Sequence, residues 1–130
     1  MNVKPSIAGI VLVASALVAA TPATAHHSFV IFDRTKEVTL VGVVKGFGWV
    51  NPHSWIQVEV RNEAGGVAVW GVEMNSPNSL VRYGWKSTII KPGDRVTVVV
   101  NPIRTGENSG HLVSITLPNG QVLTEGPRIL

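Results

Sequence analysis

Hydrophobic residues follow two different patterns along this chain, and the first pattern lies near its start. Ile7 to Ala20 (IAGIVLVASALVAA) is almost wholly apolar and follows a short basic start that contains Lys4. Pro22 ends the run, and the small residues ATA follow at 23–25. A basic start, an apolar middle and a small-residue end are the three parts of a secretory signal peptide. We therefore expect residues 1–25 to be cleaved after Ala25. A membrane anchor is less well supported, because the run is shorter than the roughly 18 residues that span a bilayer.

The second pattern is an alternation of apolar and polar residues, which predicts β-strands. Residues 38–50 (VTLVGVVKGFGWV) are rich in β-branched side chains and contain three glycines, which indicate a bend or bulge in a long strand. Further strands are predicted at 55–61 (WIQVEVR), 67–73 (VAVWGVE), 95–100 (RVTVVV), 111–117 (HLVSITL) and 121–123. The polar, glycine-containing segment at 101–110 is predicted to be a loop.

A short helix is predicted between the third and fourth strands. Ser76 is a suitable N-cap, Pro77 fits the first helical position, and Gly84 ends the segment NSLVRY. Three strands, a helix and two strands are the order of an OB-like five-stranded barrel, in which the helix covers one end. We therefore predict an all-β domain with one short helix at 26–123, followed by a loosely held C-terminal tail at 124–130. A β-sandwich is the alternative.

Composition narrows the class of protein. The chain has 130 residues, a formal charge of +3 and no cysteine. One domain remains after the signal peptide is removed, and an exported domain without disulfides fits a bacterial periplasm. Lysine and arginine form no cluster, so neither nucleic acid nor an anionic membrane surface is an expected partner. Stable membrane insertion is not expected after the signal peptide is cleaved.

The double histidine at the predicted cleavage site is the first candidate for chemistry. Cleavage after Ala25 makes His26 the new N-terminus, and its free α-amine and imidazole can then chelate one ion. His27 is adjacent, and nitrogen-rich ligand sets of this kind favour copper. The alternative is that both histidines belong to a solvated chain end.

The loop WVNPHSW at 49–55 is the second candidate. Pro52 stiffens this connection between the first two strands, and Trp49 and Trp55 flank it. His53 could therefore add a third nitrogen to a metal held by His26. In OB-like folds this region borders the usual binding face, so Trp49, Asn51 and Trp55 are candidates for contacts with a ligand or partner. Alternatively, His53 bonds a local carbonyl and the tryptophans fill the core.

Other polar residues give weaker indications. His111 is interpreted as an exposed histidine at the start of a strand, and Glu73 and Met74 as a strand-end carboxylate and a core methionine. The sequence contains no paired acid/base carboxylates, nucleophile turn or phosphate-binding loop. No catalytic residue is predicted.

Several motifs together resemble a family of small exported bacterial proteins known only as a domain of unknown function. They are AHHSF after the signal peptide, VTLVGVV, NPHSWIQVEV, NSPNSLVRYGW and KPGDRVTVVV. The resemblance extends from about His26 to about Leu123. It implies a periplasmic, OB-like barrel and gives no activity to its motif residues.

Three functional hypotheses remain. The first is a periplasmic protein that binds copper or another transition metal through His26, His27 and His53. The second is a metal-free module that binds a peptide, glycan or partner protein through the tryptophan-flanked loop, which requires an exposed Trp49 or Trp55. The third is an oxidising enzyme with copper at its N-terminal histidine, for which the sequence offers no separate support.

Overall fold

The structure is a computed structural model that describes residues 29–127. Within this range a 3-10 turn at Phe29–Ile31 precedes the strands, and the helix α1 (Pro77–Leu80) leads into a second 3-10 turn at Val81–Tyr83. No helix in this part of the chain is long and apolar enough to span a membrane. The strands are β1 (Val38–Gly48), β2 (Trp55–Arg61), β3 (Val67–Glu73), β4 (Arg95–Pro102), β5 (Ser109–Thr116) and β6 (Val122–Leu123).

The first five strands form a closed barrel. Neighbours are antiparallel in the order β3-β2-β1-β4-β5, and the barrel closes where the end of β3 runs parallel to the start of β5. The long strand β1 pairs with both β2 and β4, while β6 extends the antiparallel pairing of β5. This arrangement confirms the predicted all-β barrel with a short helix between the third and fourth strands.

Gly42 allows β1 to bend from one half of the barrel to the other. It pairs with β2 on one side and with β4 on the other, just before the register with β2 shifts between Val44 and Gly46. A Cβ atom at Gly42 would lie 2.1 Å from the carbonyl oxygen of Glu59. Because no side chain fits so close to a backbone oxygen, the close approach of β1 and β2 requires glycine at this position.

The helix covers one end of a core of buried apolar side chains. The carbonyl oxygen of Ser76 accepts the N–H of Leu80 at 3.0 Å, although the Ser76 side chain makes no capping hydrogen bond with the described residues. Gly84 ends the segment as predicted, with a φ of +88°. The core consists of Leu40, Val44, Ile56, Val58, Val72, Met74, Leu80, Trp85, Ile90, Val96, Val98, Val100, Leu112, Ile115, Leu117 and Leu123.

The connection between β4 and β5 is shorter than the predicted loop at 101–110. Asn101 pairs with His111, so β4 continues to Pro102 and β5 begins at Ser109. The side-chain amide of Asn101 donates to the carbonyl oxygen of Lys36 at 2.7 Å. This hydrogen bond lets a polar residue occupy a buried strand position, which its local sequence does not indicate.

Thr124 and Glu125 are fixed to the barrel, so the prediction of a loosely held tail is wrong for these two residues. The indole N–H of buried Trp85 donates to the carbonyl oxygen of Thr124 at 2.8 Å. The backbone N–H of Asn75 donates to Oε2 of Glu125 at 2.6 Å. Both donors need acceptors because they lie away from bulk water, and the tail supplies them.

Substitution of Gly42 tests the close approach of β1 and β2. We expect Gly42→Ala to lower the free energy of unfolding by about 1–3 kcal/mol, because the added methyl group must displace the backbone of β2. Urea denaturation monitored by tryptophan fluorescence measures the change. Gly71→Ala is the matched control, since a Cβ at Gly71 meets no atom within 4 Å. Equal stability of the two variants would contradict this account of β1.

Candidate ligand-binding site

Strand pairing brings residues from distant parts of the sequence into one line on the outside of the barrel. Trp55 of β2 lies opposite Gly48 of β1 and Glu73 of β3, and Glu73 lies beside His111 of β5. Ile56, and the residues on either side of Glu73 and His111, are buried. Because side chains alternate along a strand, Trp55, Glu73 and His111 face outward, and we call them the outer row.

The indole of Trp55 lies flat against β1. A Cβ atom at Gly48 would come within 2.2 Å of the indole atoms Cε2 and Nε1, and one at Gly46 would lie 3.2 Å from Cζ3. Both rings of the indole therefore cover glycine backbone. Trp55 still exposes 40% of its surface. The result is an aromatic surface, fixed in position, on which a ligand can stack.

The other two residues predicted to contact a partner have different positions. Trp49 is partly buried against the core and packs edge-on against Phe47, with ring centroids 5.8 Å apart. Asn51 is exposed on the loop and lies outside the cleft that Trp55 borders. Of the two flanking tryptophans, Trp55 is therefore the one available to a ligand.

His53 is held against the end of β3. Its Nδ1 atom lies 3.1 Å from the carbonyl oxygen of Met74 and 3.8 Å from Oε1 of Glu73. Two backbone hydrogen bonds fix the loop here. The N–H of Ser54 donates to the carbonyl oxygen of Asn75 at 3.1 Å, and the N–H of Met74 donates to the carbonyl oxygen of Ser54 at 2.9 Å. Since a carbonyl oxygen only accepts, the hydrogen bond to Met74 places a proton on Nδ1.

A surface cleft of about 450 Å³ opens between the loop and the ends of β2 and β3. Gly71 leaves part of its wall without a side chain, and a Cβ there would meet no atom within 4 Å. The cleft combines an aromatic surface with several hydrogen-bonding groups, a composition typical of small-ligand sites. Its lining residues are Pro52, His53, Ser54, Trp55, Ile56, Gln57, Gly71, Val72, Glu73 and Ser109.

Next to the cleft, the outer row continues into a buried pair of titratable side chains. Nε2 of His111 lies 3.7 Å from Oε1 of Glu125, and the two side chains are only 17% and 8% exposed. Burial lowers the pKa of His111 to about 4, helped by the positive charge of Arg34. Burial raises the pKa of Glu125 to about 8; the hydrogen bond from Asn75 opposes this shift and the charge of Glu73 adds to it.

The predicted metal ligands are only partly within the described residues. His53 lies at the cleft, whereas His26 and His27 lie outside residues 29–127. Within that range, no group of three or more histidine, aspartate or glutamate side chains is arranged to hold a metal ion. A metal site at His53 would therefore need ligands from His26 and His27.

The sequence interpretation missed two members of this site. His111 is a half-buried neighbour of Glu73 rather than an exposed strand end, and Glu125 is buried beside it. The predicted barrel contained a signal for the first contact, because closing β3 onto β5 places the end of one beside the start of the other. No local pattern around Glu125 indicated its position.

The pair predicts an unusual dependence of stability on pH. The pKa of Glu125 is raised in the folded state, so its contribution to stability is lost as pH rises from the unfolded pKa of 4.5 through about 8. His111 has a lowered pKa, so its contribution is lost as pH falls from 6.5 through about 4. Between pH 4.5 and 6.5 the pair carries one proton in the folded state and one in the unfolded state, so the effects of His111 and Glu125 on the pH dependence of stability cancel. Above pH 6.5 we expect the free energy of unfolding to fall, by about 2 kcal/mol at pH 8.

Glu125→Gln separates the two contributions. The variant should lose the decline between pH 6.5 and 8, and its stability should fall as pH drops from 6.5 to 4.5, because His111 then acts alone. Urea titrations of both proteins across pH 4.5–8.5 measure the difference. Parallel pH profiles for the two proteins would contradict the pairing.

Comparisons with known proteins give one finding. No curated protein and no solved structure matches the chain. A family model matches residues 13–112, which include every residue that lines the cleft and end before Glu125. The chain therefore belongs to DUF6152, a family of unknown function.

Proposed function

We propose that this protein is an exported periplasmic binding module that holds a small polar ligand in the cleft beside Trp55. The observation that carries the proposal is the exposed indole fixed over Gly46 and Gly48 at the edge of a mainly apolar cleft that also holds Gln57, Glu73 and His53. The apolar run at 7–20, the ATA sequence at 23–25 and the absence of cysteine support export to the periplasm.

The cleft offers two kinds of contact. Apolar atoms of a ligand stack on the indole, and its polar groups reach Gln57, Glu73 and His53 on the walls. Because the barrel and the backbone hydrogen bonds of Ser54 fix these residues, a ligand would order few side chains on binding. Recognition would depend on the shape of the preformed cleft and on a small number of hydrogen bonds.

The indole N–H signal of Trp55 in ¹⁵N-resolved NMR tests the proposal. The signal is assigned by its disappearance in Trp55→Phe, and the processed chain is titrated with maltose, choline and a neutral tripeptide. We expect at least one probe to shift the Trp55 signal and leave that of Trp85 unchanged, since Trp85 is buried and bonded to Thr124. A Trp55 signal unmoved by all three probes would contradict the proposal.

A second candidate function, copper binding at His26, His27 and His53, is favoured by one contact. The ring of Phe32 packs on His111 of the outer row, with centroids 5.6 Å apart. The chain from His26 to Phe29 spans at most about 10 Å, a length that would allow His26 and His27 to reach the surroundings of the 29–32 segment. With Nδ1 bonded to Met74, His53 would coordinate copper through Nε2.

Copper titration of the processed chain tests this second candidate. The comparison protein carries one extra residue before His26, which moves the α-amine out of the chelate. We expect copper affinity to fall by at least tenfold in the extended protein and in His53→Gln, because each loses one nitrogen ligand. Equal affinity of the processed and extended proteins would exclude chelation by the α-amine.

A further inference from the structure

Glu73 places a carboxylate on the wall of the cleft. Its side chain is 26% exposed and makes no hydrogen bond with another described residue. The nearest nitrogen, Nδ1 of His53, lies 3.8 Å away and 3.1 Å from the carbonyl oxygen of Met74. A half-buried carboxylate has lost part of its hydration, so it gains from a donor or a positive charge that a ligand brings.

Trp55 and Glu73 are paired across β2 and β3, and both line the cleft. Residues opposite each other on antiparallel strands have Cβ atoms about 4.5–5.5 Å apart, and Trp55 lies opposite Glu73. The face of an indole carries negative charge density and attracts a cation that lies over it. The ring extends over β1, so an ammonium group bound in the cleft between the ring and the side chain of Glu73 would interact with both.

The charges around the cleft favour the same ligand. Glu73 is the only acidic residue among the described residues that line the cleft, and the lining includes no lysine or arginine. The neighbouring pair His111 and Glu125 is uncharged near neutral pH, so neither side chain cancels the charge of Glu73. Lys45 is paired with Glu59 at 3.3 Å, and neither residue lines this cleft. An anion would meet repulsion here, whereas a cation would be attracted.

We propose that the ligand of the cleft carries an ammonium group, bound between the indole of Trp55 and the carboxylate of Glu73. This inference rests on the proposed function, because it names the chemical class of the ligand for the same cleft. It adds a requirement for positive charge that stacking on Trp55 alone does not have.

Choline and 3,3-dimethyl-1-butanol provide the test, because they have nearly the same shape and only choline is charged. Both are titrated into the processed chain while the indole N–H signal of Trp55 is followed. We expect choline to bind at least tenfold more tightly than the alcohol, and added salt to weaken its binding. Glu73→Gln should reduce choline affinity by roughly tenfold and leave the response to the alcohol unchanged.

Glu59→Gln is the matched control. It removes one carboxylate from the outer face of the same sheet, but Glu59 does not line the cleft. Choline affinity should therefore stay within twofold of the unaltered protein. Circular dichroism and urea denaturation confirm that each variant is folded.

The outcomes separate this inference from the proposed function. If choline and the alcohol bind equally, or if maltose moves the Trp55 signal and choline does not, the cationic ligand is excluded and the binding cleft stands. If no probe moves the Trp55 signal, both proposals fail. If Glu59→Gln weakens choline binding as much as Glu73→Gln, a general surface charge explains the effect and the specific site is excluded.

Discussion

The short parallel pairing between β3 and β5 is the constraint on which the rest of the structure depends. Only Gly71, Val72 and Glu73 pair with Ser109, Gly110 and His111, yet this contact closes the barrel. It brings together two segments nearly forty residues apart, so the chain must lose considerable conformational freedom before the contact forms. Closure encloses the core, and it places Glu73 beside His111. Closing the barrel and forming the outer row therefore depend on the same contact.

The site also shows how glycine shapes a surface. Gly42 allows two strands to approach each other, whereas Gly46 and Gly48 receive the indole of Trp55 and Gly71 leaves an opening in the wall. A side chain at Gly71 would enter the cleft, whereas side chains at Gly46 and Gly48 would displace the indole. The absence of side chains on the outer face of the sheet is thus as important for the cleft as the polar groups around it.

The sequence predicted the elements well because they depend on local patterns. The alternation in WIQVEVR places Ile56 in the core and, by the same phase, Trp55 on the outer face, so its exposure followed from the strand itself. His111 was misinterpreted because its surroundings come from β3 and the tail rather than from adjacent residues. Glu125 could not be predicted, since Asn75 and Trp85 draw the tail onto the barrel from fifty and about forty positions away.

The contact between Trp55 and Gly48 has a consequence for how the sequence can vary. A Cβ at position 48 would overlap the indole of Trp55 where it now lies. A side chain at 48 would therefore require the ring at 55 to move off β1. The two positions lie seven residues apart on different strands. In a related chain, glycine at 48 together with tryptophan at 55 would indicate that the aromatic surface keeps its place.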